Sequence, residues 1–155
     1  MEPFINQFPA LPIVGLGAAY FFFKTFVNSL IQSYGRITTR TFTLEDNAKY
    51  FGKSDAVATQ DTPLVQRASG CWRNDLENIP SFLFLALVYA LMGGDSQIMG
   101  WMMGFYCATR TLHTLFYIKL IQPHRMIAFQ AGMVCHVALV AQVVLLSLKL
   151  MGKNL

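Results

Sequence analysis

An all-α integral membrane protein built as a four-transmembrane-helix bundle is the fold class that this sequence predicts. Of its 155 residues, 54% are hydrophobic and only 13% are charged, against roughly 25% charged in an ordinary soluble domain. Three apolar segments, at residues 11–34, 98–121 and 126–150, reach the length of about 20 residues that a helix needs to cross a bilayer core. A fourth, shorter one runs from about residue 75 to residue 92. That leaves no length for a separate soluble domain. Residues 1–155 read as a single four-helix membrane domain, with helices at about 11–34, 73–92, 98–121 and 125–150 and a long polar connection at about 35–72.

Residues 1–10 carry no Lys or Arg and the apolar stretch after them is long, which predicts a retained first helix and not a cleaved leader. Within that helix Gly15, Gly17, Ala18 and Ala19 permit close approach of a neighbour. Lys24 and Asn28 lie four apart on one face, and the expectation is that they turn inward and bond partners there. The long connection and its borders hold Arg36, Arg40, Lys49, Lys53, Arg67 and Arg73. Residues 93–97 hold no cation, and the third connection holds Lys119 and Arg125. Lys149 and Lys153 oppose this asymmetry and are outnumbered. The positive-inside rule therefore places the first and third connections in the cytoplasm and both termini opposite.

The second helix sets the most unusual requirement. Arg73-Asn74-Asp75-Leu76-Glu77-Asn78 runs directly into 14 apolar residues, too few to span alone, so part of the polar cluster must lie within the membrane. Charge at that depth is costly unless it is paired or faces a wet cavity. At about 1.5 Å per residue, Glu77 lies roughly 6 Å beyond Arg73, Tyr117 roughly 6 Å inside the end of the third helix, and His113 roughly 12 Å inside it. All three share one leaflet.

Arg110, His113, Thr114 and Tyr117 recur at i, i+3, i+4 and i+7, a single stripe of the third helix. Each has a plain structural reading: Glu77 is the expected ionic partner of Arg110, His113 a core histidine, and Tyr117 an interfacial aromatic. Taken together, Arg73, Asn74, Glu77, His113, Tyr117 and Arg125 exceed what one ion pair needs. An anionic or zwitterionic ligand would give the surplus cations partners. His136 and Gln142 read as helix-packing polar residues, and His124 as a loop residue. The widely spaced Cys71, Cys107 and Cys135 indicate neither a disulfide framework nor a zinc site, and no metal is expected. The basic residues are too dispersed for a nucleic-acid surface.

Arg-Asn-Asp-Leu-Glu-Asn opening helix two, Arg-x-x-His-Thr-x-x-Tyr on helix three and Gln-Pro-x-Arg before helix four together resemble the membrane-associated proteins in eicosanoid and glutathione metabolism. The resemblance extends over about residues 15–150 and is nearest to the microsomal glutathione transferases and the microsomal prostaglandin E synthase. It implies a homotrimer that binds glutathione between subunits in the cytoplasmic half of the membrane. By that resemblance Arg36, Arg73, Asn74, Glu77, His113 and Tyr117 hold the tripeptide, Arg125 carries the chemistry, and Asp46 matches a family acid of disputed catalytic role. A guanidinium beside the thiol would favour the thiolate, which is the nucleophile. The membrane implied is the endoplasmic reticulum or the outer mitochondrial membrane, with a bacterial inner membrane as the alternative.

Departures within the motifs bear on which activity is implied. Where the prostaglandin synthase branch has Ser, Tyr and Gln following the catalytic Arg, this chain has Met126, Phe129 and Met133. Gly70 also replaces a basic residue common in that branch. Arg73, where several transferases carry Leu, points the other way. The reading is a glutathione transferase acting on hydrophobic electrophiles, compatible with peroxidase activity toward lipid hydroperoxides. The alternatives are a glutathione-dependent prostaglandin E synthase and a non-catalytic lipid-binding scaffold.

Overall fold

The computed structural model describes residues 4–52 and 59–152. Lys53 and Lys153, counted in the charge asymmetry above, lie outside them. Among the described residues there are six α-helices and no strand: α1 (Phe4–Gln7), α2 (Leu11–Thr39), α3 (Glu45–Phe51), α4 (Pro63–Leu91), α5 (Ser96–Ile118) and α6 (His124–Gly152). Three of the four long helices, α2, α4 and α6, reach further than hydrophobicity suggests, whereas α5 starts two residues early and ends at Ile118, short of the expected residue 121. α2 continues past Tyr34 to Thr39, and α4 starts well ahead of residue 73, so the long connection is short and contains a helix of its own.

Local chemistry explains the starts. Pro63 opens α4, where its fixed φ suits a helix and its missing N–H would have had no partner. The Asp95 carboxylate caps α5 by accepting from the Ile98 amide at 2.9 Å, which satisfies one of the orphan donors of the first turn. Pro80 lies inside α4, where it deletes one ladder hydrogen bond just after the polar cluster.

Three helix ends share one device. Arg40, Gly93 and Leu120 have φ of 52°, 75° and 58°. The residue after each donates back across the turn, Thr41 to Arg36 O (3.2 Å), Gly94 to Tyr89 O (3.0 Å) and Ile121 to Phe116 O (2.9 Å). This is the left-handed C-terminal cap that satisfies orphan carbonyls. Only Gly93 takes that conformation without steric cost. Arg40 and Leu120 are held in it by the chain on either side.

Two helices, α2 and α6, are each long and apolar enough to cross a membrane. α4 and α5 are broken in apolarity by Arg73, Asp75 and Glu77 and by Arg110 and His113. The chain divides into two compact units, Met1–Phe22 with Leu76–Leu155, and Phe23–Asp75.

The larger unit has its core at Tyr106. That ring stacks on Phe82 with centroids 3.7 Å apart and 9° between planes, meets Phe21 edge-on at 5.7 Å, and donates its hydroxyl to Asn78 O at 3.2 Å. Ile79, Ala86, Tyr89, Met99, Met103, Cys135 and Leu139 are among the others in the buried cluster. Gly17 allows the close approach expected of it, since a Cβ there would meet the Met103 side chain. His136 packs edge-on against Phe82 and Tyr106, a helix-packing role. Close packing of α5 and α6 is set at Gly132, whose missing side chain admits Thr109 and Arg110. In the smaller unit, Gly35 makes room for Val65, and the buried Phe42 stacks on Phe51 of α3 at 6.0 Å.

Candidate functional site

The α5 stripe is formed as the spacing predicts. Arg110 and His113 are buried, and Thr114 and Tyr117 half-buried. His113 and Tyr117 meet edge to face with ring centroids 5.7 Å apart. The left-handed Leu120 ends α5, and α6 starts at His124 with the Arg125 amide bonded to Ile121 O at 3.1 Å. That tight reversal returns the first turn of α6 across the end of α5. Arg125 consequently lies over the face of Tyr117, its guanidinium carbon 4.6 Å from the ring centroid, where the ring quadrupole attracts a cation.

Gln122 holds the other side of the same guanidinium. Arginine only donates, so the amide oxygen is the atom of Gln122 that faces it. That oxygen accepts from Nη2 at 2.6 Å and Nε at 2.9 Å. Arg125 makes no ion pair among the described residues, so its positive charge is not offset by a carboxylate. His113, Tyr117 and Arg125 are therefore the predicted site residues that this unit brings together.

Arg110 is the deeper cation of the same unit, and its surroundings correct one expectation. Glu77 is exposed and makes no ion pair with it. The Arg110 guanidinium, 1% exposed, lies instead between aromatic rings, 5.1 Å from the Tyr106 centroid and 5.4 Å from that of Phe129, with Met133 sulfur 4.0 Å from Nη2. Phe129 also lies 5.8 Å from the His113 ring. The physical reason is reach and register: Glu77 points away from the helix face that Asn78 and Phe82 present to Tyr106.

The buried acid of α4 is Asp75. It pairs with Lys24, the two side chains 0% and 10% exposed. Lys24 thus turns inward as expected. Asn28 does not follow it into a bond, for it is 3% exposed and neither of its amide atoms has a hydrogen-bond partner among the described residues. Next along α4, Arg73 is exposed and Asn74 half-buried.

Arg36, in the last turn of α2, is engaged bidentately by Asp61, Nε to Oδ1 at 2.8 Å and Nη2 to Oδ2 at 2.7 Å. An open cavity of about 230 Å³ adjoins it, lined by Ser33, Ile37, Phe42, Asn47 and Phe51. Asp46 is exposed in the first turn of α3, and its carboxylate accepts from the Asn47 amide at 2.8 Å. That suits a helix N-terminus.

The hydrogen bonds from Arg36 hold the Asp61 carboxyl below its usual range, against the opposing effect of burial and with the guanidinium charge adding to the depression; Arg36 is raised by the same pairing. A carboxyl depressed in the folded state contributes stability above its unfolded pKa, and loses it as pH falls through the depressed value. An NMR titration of Asp61 should show a midpoint below about 3.9, the ordinary aspartate value, and Arg36→Gln should raise it to that value or above, since burial then acts alone. A midpoint unmoved by Arg36→Gln would contradict the pairing.

Asp61, Asp75, Gln122 and Phe129 are the contacts that sequence reasoning missed. Asp75 had a usable signal, because a lysine within a membrane helix needs an anion. Gln122 had another, since it belongs to the Gln-Pro-x-Arg motif. Asp61 and Phe129 had none that spacing could reveal.

The MAPEG family model matches residues 14–145. Microsomal glutathione S-transferase 1 of Mus musculus is 31% identical over 112 residues, 70% of this chain and 72% of the relative. Prostaglandin E synthase of Canis lupus familiaris is 30% identical over 137 residues, 87% and 88% of the two chains, and that of Homo sapiens is 30% identical over 123 residues, 78% and 79%.

Proposed function

The chain belongs to the MAPEG family, and on that premise we propose that it is a membrane-bound glutathione transferase that joins the glutathione thiolate to hydrophobic electrophiles. One observation carries the reading. Arg125 is held over Tyr117 beside His113 with its charge unpaired by any described carboxylate. A cation fixed in that way stabilises an adjacent thiolate and needs no reorganisation when the thiol ionises.

In the proposed arrangement the four long helices all span the membrane, three copies assemble, and glutathione enters from the cytoplasm of the endoplasmic reticulum or the outer mitochondrial membrane. His113, Tyr117, Arg73, Asn74, Glu77 and Arg36 hold the tripeptide. The grip of Arg36 on Asp61 suits the role, because the same two donors fit a glutathione carboxylate. The acceptor arrives from the bilayer, where apolar compounds concentrate. The thiol proton passes to water, the thiolate sulfur forms a C–S bond, and halide leaves from an aryl halide acceptor. With an enone, the sulfur adds to the β-carbon and water supplies the α-proton. Positioning and electrostatics are the protein's whole contribution. Asp46 keeps an unassigned catalytic candidacy as an exposed acid of α3.

Phe129 and Met133 favour this reading over endoperoxide isomerisation. They pack on Arg110 and His113 as apolar groups, at positions where the resemblance to the synthase branch calls for Tyr and Gln. The discriminating experiment is product analysis. Incubation with glutathione and an aryl halide should consume glutathione one for one with conjugate. Isomerisation of a prostaglandin endoperoxide without glutathione consumption would replace the reading with the synthase one, and calorimetry in detergent showing no glutathione binding would replace it with the scaffold one.

A further inference from the structure

We infer that Gln122 is the positioning residue for Arg125, a neutral clamp that fixes the guanidinium without neutralising it. The inference rests on the transferase reading of the preceding subsection and assigns a residue which that reading leaves idle. Three observations meet at Arg125. The Gln122 amide lies 2.6 Å from Nη2 and 2.9 Å from Nε, its oxygen assigned to that place because arginine only donates. Tyr117 covers one face of the guanidinium at 4.6 Å. The left-handed Leu120 closes the turn that sets Gln122 ahead of α6.

A guanidinium has five N–H donors in one plane. Gln122 takes two of them, and of the three left two lie side by side on the Nη1–Nη2 edge, away from the face that Tyr117 covers. An anion gripped by two donors at once therefore approaches along that edge. The clamp also has to be uncharged. A carboxylate in the same geometry would hold Arg125 as firmly, yet its charge would cancel the field that a thiolate needs. The contacts described for the guanidinium agree with this requirement, being a tyrosine ring and a glutamine amide and no carboxylate. A glutamine supplies the acceptor geometry of a carboxylate without its charge.

The test compares wild type, Gln122→Ala and the near-isosteric Gln122→Glu, each measured as the full-length protein for glutathione affinity by calorimetry, for the thiol pKa of bound glutathione by thiolate absorbance, and for kcat with an aryl halide. Gln122→Ala should lower kcat about tenfold, as the guanidinium loses both hydrogen bonds that fix its direction, with glutathione affinity little changed. Gln122→Glu should raise the thiol pKa above that of Gln122→Ala although it preserves the clamp's shape. A purely structural role would leave Gln122→Glu like wild type, and that result, or equal pKa values in all three proteins, overturns the inference while the transferase reading stands. Wild type that binds no glutathione overturns both. Arg125-dependent thiolate formation that ignores Gln122 overturns the clamp alone.

Discussion

Arg125→Ala is expected to leave the protein folded and assembled and to reduce turnover with an aryl halide about 10²- to 10³-fold, the range seen when one preorganised electrostatic donor is removed from a reacting centre. The side chain is half-buried at the first turn of α6, and its contacts are a ring face and an amide oxygen. Losing them removes no core residue and leaves no buried charge behind. Stability and activity should therefore separate: the melting temperature in detergent stays near wild type while kcat falls. Arg125→Lys should fall between the two. It keeps the charge but loses the planar fork that Gln122 grips and the flat face that stacks on Tyr117. Undiminished activity in Arg125→Ala would remove Arg125 from the mechanism.

The second large effect is on stability. Asp75→Ala should cost about 3–5 kcal/mol, because it removes the enclosed carboxylate that pairs with the largely buried Lys24 cation. Asp75 is completely enclosed and the Lys24 side chain is 10% exposed, so water can take over little of the lost role. The double variant Lys24→Met with Asp75→Leu should recover most of that loss, since replacing a buried pair by apolar groups of similar volume is often neutral or better. Thermal unfolding of the two single variants and the double variant forms a complete cycle. Additive losses would show that the pair is not coupled.

How far this molecule was legible in its sequence follows from the physics of each signal. The two helices long and apolar enough to cross a membrane, α2 and α6, were readable because bilayer thickness imposes a length and a composition. The α5 stripe was readable because helical periodicity is a geometric constant, so Arg110, His113 and Tyr117 fall on one face. The extensions of α2 to Thr39 and of α4 back to Pro63 were not readable from hydrophobicity, since those turns are polar; the proline at the α4 start was the one local cue. The Glu77 partnership failed because depth along a helix does not specify direction around it. Asp75, two residues earlier, faces inward and Glu77 does not. Arg110, lacking a carboxylate from Glu77, lies between Tyr106 and Phe129, an aromatic solution that charge counting does not anticipate.

Arg125 shows the same division. Its motif and its resemblance to a family identified it, while its orientation depends on a left-handed leucine and a glutamine amide that no pattern of charge encodes. What the fold adds is a cation whose direction is fixed before any ligand arrives. The central claim is that this cation makes the glutathione thiolate, and stopped-flow thiolate absorbance on mixing glutathione with wild type and with Arg125→Ala at neutral pH tests it most directly. Wild type should give a thiolate signal that is absent or strongly reduced in Arg125→Ala at saturating glutathione; equal signals from the two proteins would show that Arg125 does not make the thiolate.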